Sequence, residues 1–413
     1  MQLELQRCNK CLMVATKPGL TIHEDGACDA CHHDAEKQHI NYTDRYNQLA
    51  ELCEQYRRQD GGYDCIIPVS GGKDSYYAVY KLKELMHMNP LLVTVQDNYS
   101  HTRTGLHNLI NLREVMECDL ITMSLTPEVE KQMARVAFEK FGSPTWPIDR
   151  AIYTFPLRVA IEKDIPFIIY GENTSWEYGG VNQIDTPSAL EQINNDAVKS
   201  VPATFWQQYG IDSKYLNQMT YPTPDDIYAA NLNPVYLSYF VPWDGYHNMF
   251  TAKQLGFKSL EDAWDRGGYI DDYDQIDSIG YLMNVWMKYP KYGYHRTTDM
   301  VGYWIRSELL SIKEGHMLIE DNDHILDPYV LADFLNYTGY SQSEFWAIVA
   351  KFWNKDIFSE EWITELINCN SLINCNSLND PICIPELEEI APSFRQKTTI
   401  CDHSIKQHTR DVV

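Results

Sequence analysis

The order of hydrophobic and polar positions predicts that strands and helices alternate through the first half of the chain. Short apolar runs rich in β-branched residues are typical of strands buried on both faces, and they occur at 65–69, 91–95, 120–123, 165–170 and 235–241. Helices are predicted between these strands, at about 43–58, 105–117, 127–140 and 151–163. A further helix follows the first strand, with apolar positions spaced i, i+3 and i+4 over residues 78–86. This alternation predicts an α/β fold with a doubly wound parallel sheet.

Beyond residue 250 the pattern becomes helical. Helices are predicted at about 251–256, 259–265, 275–289, 297–313, 328–335, 342–353 and 359–367. Residues 174–230 are rich in Asn, Tyr, Trp and Pro and predict long loops with short helices. We therefore expect four parts: a small module at 1–42, an α/β domain at 43–250, a helical domain at 251–390 and a polar tail at 391–413. A six-residue sequence at 367–372 recurs unchanged at 373–378, and we interpret it as a tolerated insertion.

Charge and composition exclude several classes of protein. The 413 residues carry 58 acidic and 34 basic side chains, which gives a formal net charge of −24. This balance opposes binding to nucleic acids, which needs a basic surface. The chain has no apolar run of 18 residues and does not begin like a signal peptide, so we expect no membrane partner. Eleven cysteines, an odd number partly in a metal-type pattern, favour a reducing, cytoplasmic location.

Four cysteines near the start have the spacing of a metal site. Cys8-x2-Cys11 and Cys28-x2-Cys31 are separated by 16 residues, which is within the interval typical of structural zinc modules. Four thiolates complete a tetrahedral shell and leave no open position, so we expect a structural Zn²⁺ ion. An iron–sulfur cluster and a redox-active cysteine pair are the alternatives that this spacing leaves open.

The stretch Ser70-Gly71-Gly72-Lys73-Asp74-Ser75 joins the first predicted strand to the helix that follows it. Gly71 and Gly72 allow a sharp turn and the close approach of a ligand. The first turn of the helix directs free backbone N–H groups and the positive end of the helix dipole at the loop, which favours a phosphate or pyrophosphate group. The stretch fits neither the G-x-x-x-x-G-K-[ST] loop nor the G-x-G-x-x-G loop. A glycine turn without a ligand is the alternative.

These six residues resemble the S-G-G-x-D-S loop of the PP-loop ATP pyrophosphatases at every defined position. The resemblance implies that the chain binds ATP, cleaves it to AMP and pyrophosphate, and uses AMP to activate a carbonyl oxygen. It assigns catalysis to Lys73, Asp74 and Ser75, and nucleotide binding to all six residues, Ser70 to Ser75. The turn Gly171-Glu172-Asn173, after the fourth strand, is expected to face this loop and to help hold the nucleotide. There, Glu172 could hold Mg²⁺ through water. The second strand ends at Gln96-Asp97-Asn98, where parallel sheets also deliver ligand-binding groups.

Further stretches resemble the N-acetyl sugar amidotransferases, which are PP-loop enzymes of bacterial surface-glycan pathways, including those of pseudaminic, legionaminic and mannuronic acid derivatives. The resemblance covers about residues 5–310. Besides the four cysteines and the PP-loop, it is carried by 63–65, 89–94, 171–173, 177–180, 242–244, 273–277, Thr298-Asp299 and Arg306. It implies that the acetamido group of an N-acetyl sugar becomes an acetamidine through an adenylated imidate and ammonia. Residues 295–299 and 307–310 depart from the family pattern, which is compatible with a different sugar.

Five residues downstream of the first strand are candidates for contact with the sugar: Trp243, Arg296, Thr298, Asp299 and Arg306. The two arginines have the geometry to bind a carboxylate or phosphate bidentately, and pairing on a helix surface is the alternative.

Other aromatic and acidic residues have weaker indications. Three further aromatic residues could stack on sugar or base, although packing is the more frequent role of a single aromatic side chain: Trp176, Tyr178 and Trp206. Four acidic residues are interpreted as a solvated face, with metal binding as the alternative: Asp271, Asp272, Asp274 and Asp277.

The source of ammonia is expected to lie outside this chain. Position 2 is Gln, and no cysteine lies in a G-x-C-x-G context, so neither arrangement of a glutaminase nucleophile is present. We therefore expect a separate glutaminase partner and leave the oligomeric state open. One alternative function is a PP-loop tRNA-modifying enzyme of the thiolation type, which the acidic charge opposes. Another is a nucleotide-binding subunit that scaffolds a glutaminase without catalysis, which the intact loop opposes.

Overall fold

The computed structural model describes residues 5–181, 183–190, 200–261 and 263–371. The predicted tail at 391–413 and the second copy of the duplicated sequence, at 373–378, lie outside the described residues.

Five parallel strands form a single sheet, as the apolar runs predict. They are β1 (Cys65–Pro68), β2 (Pro90–Gln96), β3 (Asp119–Ser124), β4 (Phe167–Tyr170) and β5 (Asn233–Tyr236). Their spatial order is β3-β2-β1-β4-β5, so the chain builds outward from β1 first in one direction and then in the other. Ile66 of β1 is in register with Leu91 of β2 on one side and with Ile168 of β4 on the other. The carboxyl ends of β1 and β4 therefore lie side by side at the point where the strand order reverses, where open α/β sheets bind ligands.

The sheet is buried on both faces, which confirms the doubly wound α/β architecture. Cys65 and Ile67 point into the larger hydrophobic core, and Ile66 points into a second core on the opposite face. The β3 edge is partly exposed. Because successive side chains of a strand point to opposite faces, only a continuous apolar run can supply both cores.

Eighteen α-helices occur in the described residues. They are α1 (Asp29–Lys37), α2 (Tyr42–Tyr56), α3 (Lys73–Tyr80), α4 (Arg103–Val115), α5 (Pro127–Phe141), α6 (Trp146–Lys163), α7 (Thr174–Tyr178), α8 (Ala203–Gln207), α9 (Pro224–Ala229), α10 (Leu237–Phe240), α11 (Gly245–Gln254), α12 (Leu282–Trp286), α13 (Lys288–Tyr292), α14 (Arg296–Arg306), α15 (Ile312–Asn322), α16 (Pro328–Thr338), α17 (Gln342–Val349) and α18 (Glu360–Ser371). A π-helical turn, Lys81–Leu85, extends α3, and a 3₁₀ segment, Ser213–Met219, lies between α8 and α9.

Two elements differ from the predictions in type or in bounds. The predicted strand 235–241 ends at Tyr236, and the short helix α10 follows it, because Leu237, Phe240 and Val241 are buried at helical spacing. The predicted helix 275–289 begins only at Leu282. Before it, the carbonyls of residues 276 and 277 accept hydrogen bonds from Thr102 instead of from a following helical turn.

Two further helix predictions are also corrected. The predicted helix 297–313 ends at Arg306, and a capping box between Ser311 and Glu314 begins a separate helix, α15, which the apolar pattern missed. The described residues within 259–265 form no helix.

The larger core continues across the predicted domain boundary at residue 250, because Met249, Leu260, Leu282 and Phe334 belong to one cluster with Ile67. The division into parts remains a prediction. In the described part of the chain, every helix is too short or too polar to cross a bilayer.

Candidate functional site

The loop Ser70 to Ser75, which resembles a PP-loop and keeps that name below, leaves β1, turns, and begins α3. Ser75 Oγ accepts a hydrogen bond from Ser70 N at 3.0 Å, and Ser70 Oγ accepts one from Gly72 N at 3.2 Å. Gly72 is the N-cap of α3, and no side chain caps the helix there. The hydroxyls of Ser70 and Ser75 thus hold the shape of the loop, while the start of α3 offers N–H groups to an anion.

Gly71 is required by the fold as well as by any ligand. Its φ angle is +85°, and a Cβ atom at this position would lie 2.8 Å from the backbone nitrogen of Leu109 in α4. At Gly72, the nearest atom to such a Cβ is Ser70 Oγ, at 3.3 Å. Gly71 therefore lets α4 pack against the loop, a reason that the sequence alone does not reveal.

We predict that Gly71→Ala lowers the free energy of unfolding by more than about 2 kcal/mol, because a left-handed backbone and a clash with α4 act together. Gly61→Ala is the matched control, since Gly61 also has positive φ (+79°) but has no heavy atom within 4 Å of the added Cβ. Chemical denaturation of both variants measures the difference. Equal losses in the two variants would contradict the packing role of Gly71.

Lys73 lies between carboxylates from two distant parts of the chain. Its Nζ donates to Asp74 at 2.8 Å and to Asp274 at 2.5 Å, and the residue is 5% exposed. Burial alone would lower the pKa of Lys73, but the charges of Asp274 and Asp74 raise it, so the side chain is a permanent cation. Asn248 of α11 donates to the second oxygen of Asp74 at 2.8 Å. These contacts place the ammonium group at the start of α3.

Asp274 is a site residue that the residue pattern placed on a solvated face, and that interpretation is wrong. Arg296 Nη2 donates to Asp274 Oδ2 at 2.6 Å, while Lys73 holds the other oxygen. The Asp271 side chain is also buried and pairs with Arg266 at 3.3 Å. Burial would raise the pKa of Asp274, but Lys73 and Arg296 lower it to about 2. The sequence signal for Asp274 was the family resemblance at 273–277. A salt bridge between residues 201 positions apart leaves no local pattern.

The turn after β4 lies across from the PP-loop, at the neighbouring strand end. Burial and, to a smaller extent, the charge of Asp74 raise the pKa of Glu172 to about 8, although the charge of Lys73 opposes this rise. This places the Glu172 carboxyl group in the electrostatic field of the loop. Asn173 caps α7, and its backbone nitrogen donates a hydrogen bond to Ser238 Oγ at 3.1 Å. The Trp243 ring packs over Gly171, where an added Cβ would lie 3.2 Å from it.

A small, open depression lies at the carboxyl ends of β1 and β2. Its lining includes Ser70, Thr94, Asp97, His101 and Asp277. Asp97 Oδ1 accepts hydrogen bonds from Tyr99 N at 2.9 Å and Ser278 Oγ at 3.0 Å, and burial raises the pKa of Asp97 to about 6. The end of β2 thus delivers Asp97 to the edge of the PP-loop, as its position at a strand end predicts. His101 and Asp277 join it only through the fold.

The remaining candidate substrate residues are not gathered at one point. Thr298 is fully buried at the start of α14, where its backbone nitrogen and hydroxyl donate to Asp323. Asp299 pairs with Lys288 and lies 3.9 Å from Lys17. Arg306 lies at the other end of α14, beside the cysteine cluster. Burial alone would lower the pKa of Arg306, but the charges of Cys11, Cys31 and Cys28 raise it overall. Among these residues, Arg296 alone contacts a partner of Lys73 within the described chain.

The aromatic candidates also separate. Trp206 is fully buried in a core beneath α6, away from solvent. Trp176 stacks on His33 with ring centroids 4.0 Å apart. Burial, together with the nearby charges of Glu172 and Asp74, raises the pKa of Tyr178 well above the usual value. Of the three, Tyr178 is the aromatic side chain that faces the loop.

The four cysteines converge on one point, and all are buried. The sulfur separations are 3.7 Å for Cys8–Cys31, 3.5 Å for Cys11–Cys28 and 3.7 Å for Cys28–Cys31. Metal–sulfur bonds of about 2.3 Å at tetrahedral angles place sulfurs roughly 3.8 Å apart, so the four side chains fit one ion. An iron–sulfur cubane binds each cysteine to a different iron atom and needs the sulfurs farther apart. The four residues therefore form a candidate metal site for a single tetrahedral ion.

The cysteine module packs directly on the helix that follows the Glu172 turn. Lys37 of α1 forms a salt bridge with Glu177 of α7. Lys17 Nζ donates to the carbonyl of Tyr178 at 2.8 Å, and the His33 ring covers Trp176. The module and the turn after β4 are thus parts of one packed unit.

Comparisons with known proteins cover parts of the chain. The uncharacterized protein MJ1599 of Methanocaldococcus jannaschii is 25% identical over 144 residues, which is 35% of this chain and 50% of that relative. The match therefore spans about half the length of that relative.

Three solved structures are similar at a TM-score of 0.27. They are NMN synthetase from Francisella tularensis (12% identity, 52% of this chain, 94% of that one), the NH3-dependent NAD synthetase from Campylobacter jejuni (12%, 52% and 97%), and the U34-tRNA thiolase NcsA from Methanococcus maripaludis with its [4Fe-4S] cluster (14%, 78% and 89%). The fold assignment rests instead on the strand order and register of this chain.

A family model matches residues 268–368, and its description is "LPS biosynthesis protein WbpG-like, C-terminal domain". The match includes Asp274 and Arg296, which connect it to Lys73 of the PP-loop. This part of the chain is thus similar to the C-terminal domain of WbpG-like LPS biosynthesis proteins.

Proposed function

We propose that this protein is an ATP-dependent amidotransferase that converts the acetamido group of an N-acetyl sugar to an acetamidine, with release of AMP and pyrophosphate. The observation that carries the proposal is the contact between two parts of the chain. Lys73 of the S-G-G-K-D-S loop binds Asp274, and Asp274 belongs to the segment similar to WbpG-like LPS biosynthesis proteins. A nucleotide-type loop and a glycan-type segment therefore share one buried salt bridge.

The proposed reaction has two steps. First, the acetamido oxygen attacks the α-phosphorus of ATP, the bond to the β-phosphate oxygen breaks, and pyrophosphate leaves. Ammonia then adds to the imidate carbon, and the C–O bond breaks so that the former carbonyl oxygen departs with AMP. Charge develops on the departing pyrophosphate, and preorganised donors stabilise it most effectively. In this chain, the N–H groups at the start of α3 and the buried Lys73 ammonium are such donors.

Mg²⁺ and a metal in the cysteine cluster would have separate roles. Asp74 belongs to the loop, and Glu172 lies close enough to Asp74 for the two charges to interact. Mg²⁺ commonly binds one or two carboxylates together with phosphate oxygens, whose charge it neutralises, so these two residues would hold it. We assign a structural Zn²⁺ to the cysteine cluster, because four buried thiolates leave no open position for chemistry. Ammonia would come from a separate glutaminase, since this chain lacks a recognisable nucleophilic cysteine for glutamine.

The test is an assay of AMP and pyrophosphate with ATP, Mg²⁺, ammonium and a panel of free and nucleotide-activated N-acetyl sugars. We expect AMP in a one-to-one ratio with acetamidine, and only with a suitable sugar present. Glutamine in place of ammonium should give no product from this chain alone. Retention of tRNA at moderate salt, together with the lack of any sugar-dependent AMP, would instead support a tRNA-modifying enzyme and overturn the proposal.

A further inference from the structure

The proposed nucleotide site already contains an anionic group of the protein itself, the Asp274 carboxylate, which is bound to Lys73. Asp274 Oδ1 lies 2.5 Å from Lys73 Nζ, nearer than the 2.8 Å from Asp74 Oδ2. The Lys73 side chain is only 6% exposed, so few other groups can reach it. An oxyanion that binds at the start of α3 would need the same ammonium protons that Asp274 now accepts.

Asp274 is held in this position independently of Lys73. Its second oxygen accepts from Arg296 Nη2 at 2.6 Å, and its backbone nitrogen donates to Asp271 Oδ2 at 2.9 Å. Arg266 Nη1 donates to the backbone carbonyl of Asp274 at 2.8 Å, which secures the loop from the other side. A carboxylate with so many partners keeps its place when one partner leaves, so Lys73 is the group that can change partners.

The charges in this cluster balance before any ligand arrives. Three cations (Lys73, Arg266 and Arg296) face three carboxylates (Asp74, Asp271 and Asp274) through the contacts given above. A phosphate added beside Lys73 introduces negative charge next to Asp274 in a poorly solvated place, and like charges repel strongly there. The position of Asp274 should therefore weaken phosphate binding while it keeps the lysine extended and ready.

We propose that Asp274 is a positioning residue that occupies the Lys73 ammonium in the nucleotide-free protein and is replaced there by a phosphate group of the incoming nucleotide. This inference rests on the proposed function, because it needs a nucleotide at the PP-loop. When Lys73 changes partners, Asp274 remains with Arg296, whose buried Nε has no acceptor among the described residues. Nucleotide binding would then alter the charge balance at the start of α14, inside the WbpG-like segment.

The experiment measures binding of inorganic pyrophosphate and of a non-hydrolysable ATP analogue to the full chain by calorimetry. Asp274→Asn keeps an oxygen for Arg296 but removes the anion from Lys73, so we expect pyrophosphate and analogue to bind about tenfold more tightly. Turnover should fall at the same time, because Lys73 loses the group that orients it. A merely structural role for Asp274 would weaken binding and turnover together.

Asp272→Asn is the matched control. Asp272 is two residues away, and its carboxylate is not among the partners of Lys73 in the described part of the chain. Asp272→Asn removes the same formal charge as Asp274→Asn but leaves the contacts of Lys73 in place. We therefore expect the affinity for pyrophosphate and for the ATP analogue to change by less than about twofold. Asp274→Ser carries the same prediction as Asp274→Asn if the asparagine variant does not fold.

A double-mutant cycle with Lys73→Met tests whether Asp274 acts through Lys73. The tightening caused by Asp274→Asn should disappear in the Lys73→Met background. Unchanged or weaker binding by Asp274→Asn, or equal tightening in both backgrounds, would overturn the inference and leave the proposed function standing. If neither the wild-type chain nor any variant binds nucleotide or pyrophosphate, the proposed function fails and the inference fails with it.

Discussion

Lys73→Ala is expected to lower the rate of AMP formation by at least about a hundredfold, which is the usual effect of removing one preorganised donor to a developing charge. The Lys73 ammonium is buried at the start of α3, and a water molecule in the space left by the alanine variant would not restore its positive charge. Asp74→Ala should have a similar effect, because Asp74 holds both Lys73 and Asn248. The rate of AMP release under saturating ATP, sugar and ammonium measures both variants.

The fold should survive these substitutions, because Asp274 keeps Arg296 as a partner. Lys83→Ala is the matched control: Lys83 lies one helical segment later on the surface, where its Nζ donates to the Glu117 carbonyl at 3.0 Å. This variant should retain wild-type turnover. If Asp74→Ala also retained wild-type turnover with an unchanged thermal transition, the assignment of the site would be wrong.

Loss of the metal from the cysteine cluster is the second large effect that we expect. Cys28→Ser, or removal of metal by a chelator, should lower the free energy of unfolding by about 5 kcal/mol, because binding energy at a structural thiolate site is folding energy. AMP formation should fall as well, since α1 holds Glu177 of α7, five residues after Glu172. Elemental analysis and chemical denaturation measure the two effects, with one zinc ion per chain expected in the wild type.

Cys53→Ser controls for the cost of placing a hydroxyl where a buried thiol was. Cys53 is as buried as the four cluster cysteines but belongs to the main core. It should keep the metal and lose less stability than Cys28→Ser. Full metal content in Cys28→Ser would contradict the four-cysteine site. Visible absorption together with acid-labile sulfide in the wild type would show that the site holds an iron–sulfur cluster and not zinc.

The strands of the sheet could be predicted because the apolar pattern that buries a strand on both faces is contained in a few consecutive residues. A parallel strand covered on both faces must be apolar at successive positions, as at Ile66 and Ile67, and this is visible in a few residues. The apolar pattern wrongly predicted a strand at 237–240, where an apolar run is equally compatible with a buried helix turn. It also wrongly predicted a helix at 275–281, where the backbone carbonyls of residues 276 and 277 accept hydrogen bonds from Thr102, in another part of the chain.

The candidate site was predicted only in part for a related reason. The order of residues in the loop Ser70 to Ser75 and the C-x-x-C spacings predict an anion site and a metal site, because each prediction depends on residues close in sequence. Asp274 and Asp277 depend on which strand and loop ends the fold brings together. Arg306 was grouped with Arg296 in the sequence, yet the 11 residues of α14 place them at opposite ends of the helix. Thr298 lies near Arg296, but its side chain donates to Asp323 instead.

The sequence by itself thus determined the strand–loop–helix unit at 65–80, the four-cysteine cluster and the α/β class. These follow from side-chain periodicity, glycine turns and ligand spacing. Only the tertiary structure decided that Lys73 is neutralised by Asp274, that Gly71 is needed for the approach of α4, and that the cysteine module supports the turn after β4. Such contacts join residues up to 201 positions apart, and their energies depend on burial that exists only once the chain has folded.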